Sequence, residues 1–505
     1  MPVYSLEILV VLLGIGLLLA EAFFDKLSVE RLALVAIGGL AFVLSLLFFV
    51  SLPEGDEVAK GIYRFYATDG LALFYKGIAL VTTMLVIYMA LHYRKTLVSY
   101  IGGEEHHRNI AEFYSLPIFV CAGMMLMASA KDLITIFVTL EVVTVAFYVL
   151  VAYMRRNVGS LEAGVKYLIL GALSTGFLVY GITWTFGLTG AFDLAEIGNK
   201  LPLLQGQDKP IIFAFVLLMT ALGFKIAAAP FQWWVPDVYQ GAATPVTAFL
   251  SVGSKAAGVV VLTRVLQPFL NPALSVHSEL MTILFIMIIA TLVFGNLAAI
   301  GQTDFKRLMA YSSIAHAGFL LLALTSRETM GGMGSAQVIS FYMATYLFAS
   351  MVCFLVLCFY RENQFGEKIS SLNGLGKTSP FLAFVLLIAM ASLAGIPFTG
   401  GFMAKAMVFF LAFKSQYYYI SALAIVMAVA AFYYYFKVIR AMYWDAPHQS
   451  NELSTVCLSM PFKLVLLALT AGTFLFGICP TAVPYVWQPT FFGAKVESKV
   501  AQLVR

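Results

Sequence analysis

Along this chain, apolar runs of about 20 residues or more alternate with short clusters of Gly, Pro and charged residues. Runs of that length match a bilayer-crossing helix at 1.5 Å rise per residue. They fall at about 3 to 24, 32 to 51, 69 to 91, 111 to 129, 133 to 154, 161 to 187, 211 to 234, 245 to 267, 278 to 300, 305 to 325, 336 to 360, 380 to 413, 418 to 443 and 462 to 488, which predicts fourteen spans. Each must be helical, because backbone N–H and C=O groups in hydrocarbon have to be satisfied within the segment. The first run starts almost at Met1, carries Glu7, and has neither a basic segment before it nor a small-residue cleavage site after it. It reads as a retained span rather than a signal peptide.

Two runs contain helix breakers. The seventh has Pro230 and Pro236 in FKIAAAPFQWWVPD (224 to 237), and the twelfth has Gly395, Pro397, Gly400 and Gly401 in AGIPFTGGFMAK (394 to 405). Proline removes a backbone donor and clustered glycines ease unwinding, so both spans are expected to be broken. Each is the fourth helix of a five-helix block, spans 4 to 8 and spans 9 to 13, and helices five apart run in opposite directions. The expected fold class is an all-α polytopic membrane protein with two inverted five-helix repeats, each containing a broken helix. The domain expectation is an N-terminal three-helix region at 1–110, repeats at 111–268 and 276–444, and a C-terminal span and tail at 445–505.

Composition sharpens this. Hydrophobic residues make up 61% and charged residues 11%, under half of the roughly 25% charged that is usual in soluble domains. A soluble enzyme is thereby excluded, and a net charge of +5 on 505 residues gives no argument for nucleic acid. The cysteines, Cys121, Cys353, Cys358, Cys457 and Cys479, form no CxxC pair and read as buried small hydrophobes. Lys and Arg are more frequent in the odd-numbered loops, most clearly Arg94, Lys95 and Arg108 and the pair Arg155 and Arg156. By the positive-inside rule those loops face the cytoplasm and both termini face outward.

Six basic residues lie within spans: Lys76, Lys166, Lys225, Lys255, Arg264 and Lys405. A charge at the centre of a membrane helix costs about 2.5 to 3.5 kcal/mol on insertion scales, so these must face the bundle interior, water or partners. Lys76 and Arg264 read as structural. Lys225, Lys255 and Lys405 sit at depth on three helices, and Glu141 lies near mid-depth in KDLITIFVTLEVVTVAFYVLVAY (131 to 153). An ammonium in hydrocarbon gives up its proton more readily than one in water, so such groups can pass protons; a static ion-pair network is the alternative. His316, in KRLMAYSSIAHAGF (306 to 319), follows Ser312 and Ser313 by one turn and is either a relay or a histidine hydrogen-bonded to a backbone carbonyl. Lys166 is near a loop and is either relay or charge partner. Lys306 and Arg307 stand at a boundary where solvated anchoring is usual, with entry gating as the alternative for Lys306. SLNGLGKT (371 to 378) lacks the first glycine of a phosphate loop and no strand precedes it. His106 and His107 beside Glu104 and Glu105 are a poor chelate template. No haem, dinucleotide or iron–sulfur spacing occurs, so no redox chemistry is visible in this chain.

The stretches FKIAAAPFQWWVPDVYQGAATPVTAFLSVGSKAAG (224 to 258), GNLAAIGQTDFKRLMAYSSIAHAGF (295 to 319) and SLAGIPFTGGFMAKAMVF (392 to 409) resemble the signature stretches of the antiporter-like membrane subunits of respiratory complex I. PDVYxGxxTPVTAFLSVxSK and the short tail after the fourteenth span are more similar to the N-type subunits than to types L or M. The resemblance implies a proton-translocating subunit in the membrane arm of an NADH:quinone oxidoreductase. Its partners would be the other membrane-arm subunits, the lipid bilayer and protons. NADH or another donor, FMN, iron–sulfur clusters and quinone would sit in partner subunits, and the membrane would be a bacterial-type cytoplasmic membrane or its equivalent. Carried over by position, Glu141 matches a carboxylate paired with the lysine of the broken seventh span, Lys225. Lys255 matches a central lysine, and Lys405 the ionisable residue of span 12. Lys166, Lys306 and His316 match further positions on the polar axis, and Pro230 and Pro397 mark the breaks. Gln232 departs from the histidine usual at its position. Rival readings are a large subunit of a multi-subunit sodium/proton antiporter, a self-contained secondary transporter, or a scaffold that no longer pumps.

Overall fold

Aspartates stand at the starts of several helices, where a short carboxylate can accept from the unpaired amides of the first turn. Asp69, Asp132 and Asp304 cap spans 3, 5 and 10 in this way. The computed structural model describes residues 2–23, 28–50, 61–101, 110, 112–204, 206–330, 333–363, 365–446 and 458–480. Among these, thirteen helices are long and apolar enough to cross a membrane. They are span 1 (Ser5–Phe23), span 2 (Val29–Phe49), span 3 (Gly70–Leu91), span 4 (Glu112–Ser129), span 5 (Leu133–Val151), span 6 (Val158–Thr189) and the first part of span 7 (7a, Asp208–Ile226). Then come span 8 (Thr244–Phe269), span 9 (His277–Ile300), span 10 (Phe305–Thr325), span 11 (Ser335–Glu362), span 13 (Tyr418–Tyr443) and span 14 (Met460–Ile478).

Span 12 completes the fourteen. It is divided into 12a (Pro380–Ala394) and 12b (Gly400–Lys414), neither of which spans alone. Span 7 continues after its own break as 7b (Trp234–Gly241). The sequence expectation of an apolar run to 234 is thus corrected: regular helix stops at Ile226 because Ala227 adopts the left-handed conformation. Span 14 likewise ends at Ile478 rather than near 488, and residues 481 to 488 lie outside the described residues.

The two repeats share a local signature. The residues flanking Asp132 pair with the loop after span 6, Leu133 N to Phe192 O at 3.0 Å and Leu194 N to Lys131 O at 3.1 Å. Those flanking Asp304 pair with the loop after span 11, Phe305 N to Glu367 O at 3.0 Å and Ile369 N to Thr303 O at 2.9 Å. The second helix of each five-helix unit is therefore pinned by the same short antiparallel bridge.

Spans 8, 10 and 11 form the centre, each with 94% of its apolar window buried, against 28% for spans 1 and 6. Span 5 turns Val138, Val142, Val145 and Val149 outward, an apolar face suited to lipid or a neighbouring subunit. Cys121, Cys353 and Cys358 are buried as expected, but Cys479 is exposed just past span 14. Cys457, His106 and His107 lie outside the described residues.

Candidate functional site

In the first repeat the chain leaves helix at Ala227, whose φ is +68°. Ala227 N reaches Phe224 O at 3.2 Å and Ala228 N reaches Gly223 O at 2.8 Å, a Schellman-type ending. The indole of Trp234, arriving from 7b, donates to Phe224 O at 3.0 Å, and Ala229 N donates to Thr291 Oγ1 of span 9 at 2.9 Å. Uncharged groups therefore close this break. Lys225, in the last turn of 7a and 5% exposed, is left to point elsewhere and donates to Thr144 Oγ1 of span 5 at 3.1 Å. Gln232 is buried in the break, and its side-chain oxygen has no partner.

Glu141 is half-buried one turn before Thr144 and accepts from Thr175 Oγ1 of span 6 at 2.7 Å. It makes no salt bridge with Lys225, but its charge acts on that lysine. Lys225 lines a small cavity together with Thr144, Ser174 and Thr175, the last of which bonds Glu141.

Span 8 is not a uniform α-helix. Residues Leu250–Ser254 form a π-helical turn, a local widening often found at functional positions, and Lys255 follows it immediately. Its ammonium donates to Ser313 O at 2.5 Å and to Ser313 Oγ, and it stands 5.8 Å from the centre of the Tyr346 ring. Ser313 is also 3.4 Å from Tyr239 OH. One turn on in span 10, His316 is held between two phenols, Nδ1 to Tyr342 OH at 2.6 Å and Nε2 to Tyr435 OH at 3.2 Å. Tyr435 in turn bonds Ser312. His316 lies close enough to feel the charges of both Lys255 and Lys405.

The second break is closed differently. Gly395 takes φ +90°, and Ile396 N returns to Ala391 O at 2.9 Å. The carbonyls of Leu393 and Ala394, orphaned at the end of 12a, accept from Lys405 Nζ of 12b at 2.9 and 2.8 Å. A cation at a helix C-terminus is also favoured by the aligned peptide dipoles. Gly401 N donates to Ser392 Oγ at 3.1 Å, and a Cβ on Gly401 would fall 1.8 Å from Ser392 O, so only glycine fits there.

The intramembrane cations thus fall into two sets. Lys225, Lys255 and Lys405 are held by hydroxyls and carbonyls, with no carboxylate in ion-pair contact. The others are paired with acids. Lys166 is half-exposed and meets Glu162 at 2.7 Å and Asp237 at 2.8 Å, and Arg307 shares Asp237 at 2.8 Å. Arg264 meets Asp69 at 2.7 Å, and Lys76 meets Glu7 at 2.8 Å. Lys306 overturns the solvated-anchor expectation: it is 2% exposed, pairs with Glu367 at 3.1 Å and donates to Ala242 O at 3.0 Å. Sequence reading missed Thr144, Thr175, Tyr342, Tyr435 and Glu367. The tyrosine run at 433 to 435 within an apolar span was the available signal.

The chain matches the NADH:quinone oxidoreductase/Mrp antiporter transmembrane family over residues 130–431. It is 34% identical to NADH-quinone oxidoreductase subunit N of Moorella thermoacetica, across 94% of this chain and 95% of that protein. It is 36% identical to the subunit N of Heliobacterium modesticaldum over 94% and 95% of the two chains. Among solved structures it is similar to a chain of respiratory complex I from Thermus thermophilus with bound Aureothin. There the TM-score is 0.76 and the identity 29%, covering 95% of this chain and 99% of that one.

Proposed function

The chain belongs to the NADH:quinone oxidoreductase/Mrp antiporter transmembrane family, and from that premise we propose that it is a proton-translocating membrane-arm subunit, of the N type, in a complex I-type NADH:quinone oxidoreductase. NADH or an equivalent donor, FMN, iron–sulfur clusters and quinone belong to partner subunits. Among the described residues no group of three or more His, Cys, Asp or Glu side chains converges. The membrane is a bacterial-type cytoplasmic membrane or its equivalent, with both termini on the outer side. Residues 111–268 and 276–444 serve as the two half-channels.

In this reading a proton enters through the first repeat and reaches Lys225, on which the Glu141 charge acts. It passes to Lys255, then by the serine and tyrosine hydroxyls around His316 to Lys405, and leaves through the second repeat. Lys306, bound to Glu367, and Lys166, bound to Asp237, hold charge along the entry side. Quinone reduction elsewhere in the complex supplies the drive by altering the field along this axis. The supporting observation is that Lys225, Lys255 and Lys405 are buried against neutral partners only. A static ion-pair network would pair each with a carboxylate, since a buried charge without one is costly. Groups held by neutral partners can gain and lose a proton without stranding an opposite charge.

The test is to purify the assembled complex carrying Lys225→Ala or Glu141→Ala and to measure protons moved per electron pair in proteoliposomes. The expected result is a lowered ratio with quinone reduction retained when the gradient is collapsed. An unchanged ratio in both variants would sink the assignment.

A further inference from the structure

The route above leaves one fully buried ion pair unused. Glu7 of span 1 and Lys76 of span 3 are 3% and 0% exposed, and their charged groups meet at 2.8 Å. Tyr66, just ahead of span 3, donates to the same carboxylate oxygen at 2.8 Å and accepts from Lys76. Taking two charges out of water costs several kcal/mol per ion, which a static clamp recovers only when its remaining lone pairs are bonded. Here they are not: Glu7 Oε2 is buried with no partner. An ionisable pair at this depth, half satisfied, calls for a functional reading.

Two observations extend it along span 3. Towards Lys255, Thr82 is six residues beyond Lys76, and its hydroxyl is also buried without a partner. Thr82 Cγ2 would stand 3.2 Å from a Cβ on Gly253, in the π-helical turn two residues before Lys255. In the other direction, Asp69 is seven residues before Lys76, about 10 Å along the helix axis. It is held by both terminal nitrogens of Arg264 at 2.7 and 2.9 Å, and its side chain is 50% exposed. The charged and titratable groups acting on the pair are Tyr66, Asp69 and Arg264, with Cys121 of span 4 beside Glu7.

We propose that Glu7, Lys76 and Tyr66 form a second proton-holding site, through which protons pass from the Lys255 region to the membrane face that carries Asp69. The Lys76 ammonium hands its proton to the Glu7 carboxylate. An incoming proton then binds the Lys76 amine as the Glu7 acid releases its own towards Asp69, so ammonium and carboxylate are restored and no net charge accumulates. The inference rests on the translocation reading above.

The experiment compares Glu7→Gln, the double variant Glu7→Leu with Lys76→Met, and Lys255→Ala, each in the assembled complex in proteoliposomes. The double variant fills the same space with apolar side chains, so it preserves packing while removing both titratable groups. The expected result is that it assembles, reduces quinone when uncoupled at the rate of the unaltered complex, and lowers protons per electron pair by less than Lys255→Ala does, because the branch through Lys405 remains. A double variant with an unchanged ratio, beside a lowered ratio in Lys255→Ala, overturns this site alone. An unchanged ratio in Lys255→Ala itself overturns the translocation reading and this site with it. Should the double variant fail to assemble, Tyr66→Phe, which removes one hydroxyl, carries the same two outcomes.

Discussion

The two broken helices use their lysines in opposite ways. In span 7 the lysine precedes the break and takes no part in closing it; Trp234 and Thr291 satisfy the freed backbone, and Lys225 reaches across to Thr144. In span 12 the lysine follows the break and is itself the cap, its ammonium on the carbonyls of Leu393 and Ala394. A change in protonation at Lys225 therefore alters a side-chain contact between helices. The same change at Lys405 removes the charge that holds two half-helices together. The first break is a scaffold for its lysine, whereas the second is coupled to its lysine.

The largest test of that difference is Lys405→Ala against Lys225→Ala. Both are expected to lower the protons moved per electron pair. Only Lys405→Ala leaves two buried carbonyls without a donor, at about 1 to 3 kcal/mol each. It should raise hydrogen exchange at the amides of Gly395 and Ile396 and lower the thermal midpoint of the complex. Lys225→Ala should leave exchange at Ala227 and Ala228 unchanged. Equal exchange changes at both breaks would erase the distinction.

A middle-sized test comes from the neutral cap. Trp234→Phe keeps the aromatic packing against Tyr167 and Phe224 but removes the indole donor from Phe224 O. Phe224 O keeps Ala227 N as a donor, so the expected cost is about 0.5 to 1.5 kcal/mol, visible as faster exchange around Ala228, while proton yield falls less than in Lys225→Ala. A yield loss equal to that of Lys225→Ala would mean that the first break is coupled to its lysine after all.

Much of this arrangement is legible in the sequence, and the missing part has a physical reason. Pro230, Pro397 and the glycines announce both breaks because backbone chemistry is local. The intramembrane lysines announce themselves because charge is expensive in hydrocarbon. What the sequence does not hold is how neighbouring helices are rotated and how far long side chains reach. Glu141 and Lys225 were expected to act on one another as a charge pair, and the hydroxyls that each one bonds, Thr175 and Thr144, could not be read from their spacing. Lys306 was expected in solvent because it begins a span, but the loop carrying Glu367 folds over it. The π-helical turn before Lys255 leaves no compositional mark at all.

The smallest test exchanges the two left-handed residues. Ala227 holds φ +68° in the first break and Gly395 holds +90° in the second. A left-handed conformation costs a residue with a Cβ about 1 to 2 kcal/mol relative to glycine, partly offset by the greater chain entropy that glycine loses on folding. Ala227→Gly should therefore stabilise by no more than about 1 kcal/mol and leave proton yield unaltered, because nothing at Ala227 bears on the Lys225 ammonium. Gly395→Ala adds the strain and also sets a Cβ 3.1 Å from Lys405 Cδ. That contact is tight enough to displace the lysine stem from the carbonyls it caps. The expected outcome is a loss of about 1 to 2 kcal/mol accompanied by reduced proton yield, so that one methyl group in the second break affects function while its removal from the first does not. A Gly395→Ala complex that loses stability but translocates normally would show that the cap and the proton-carrying role of Lys405 are separable.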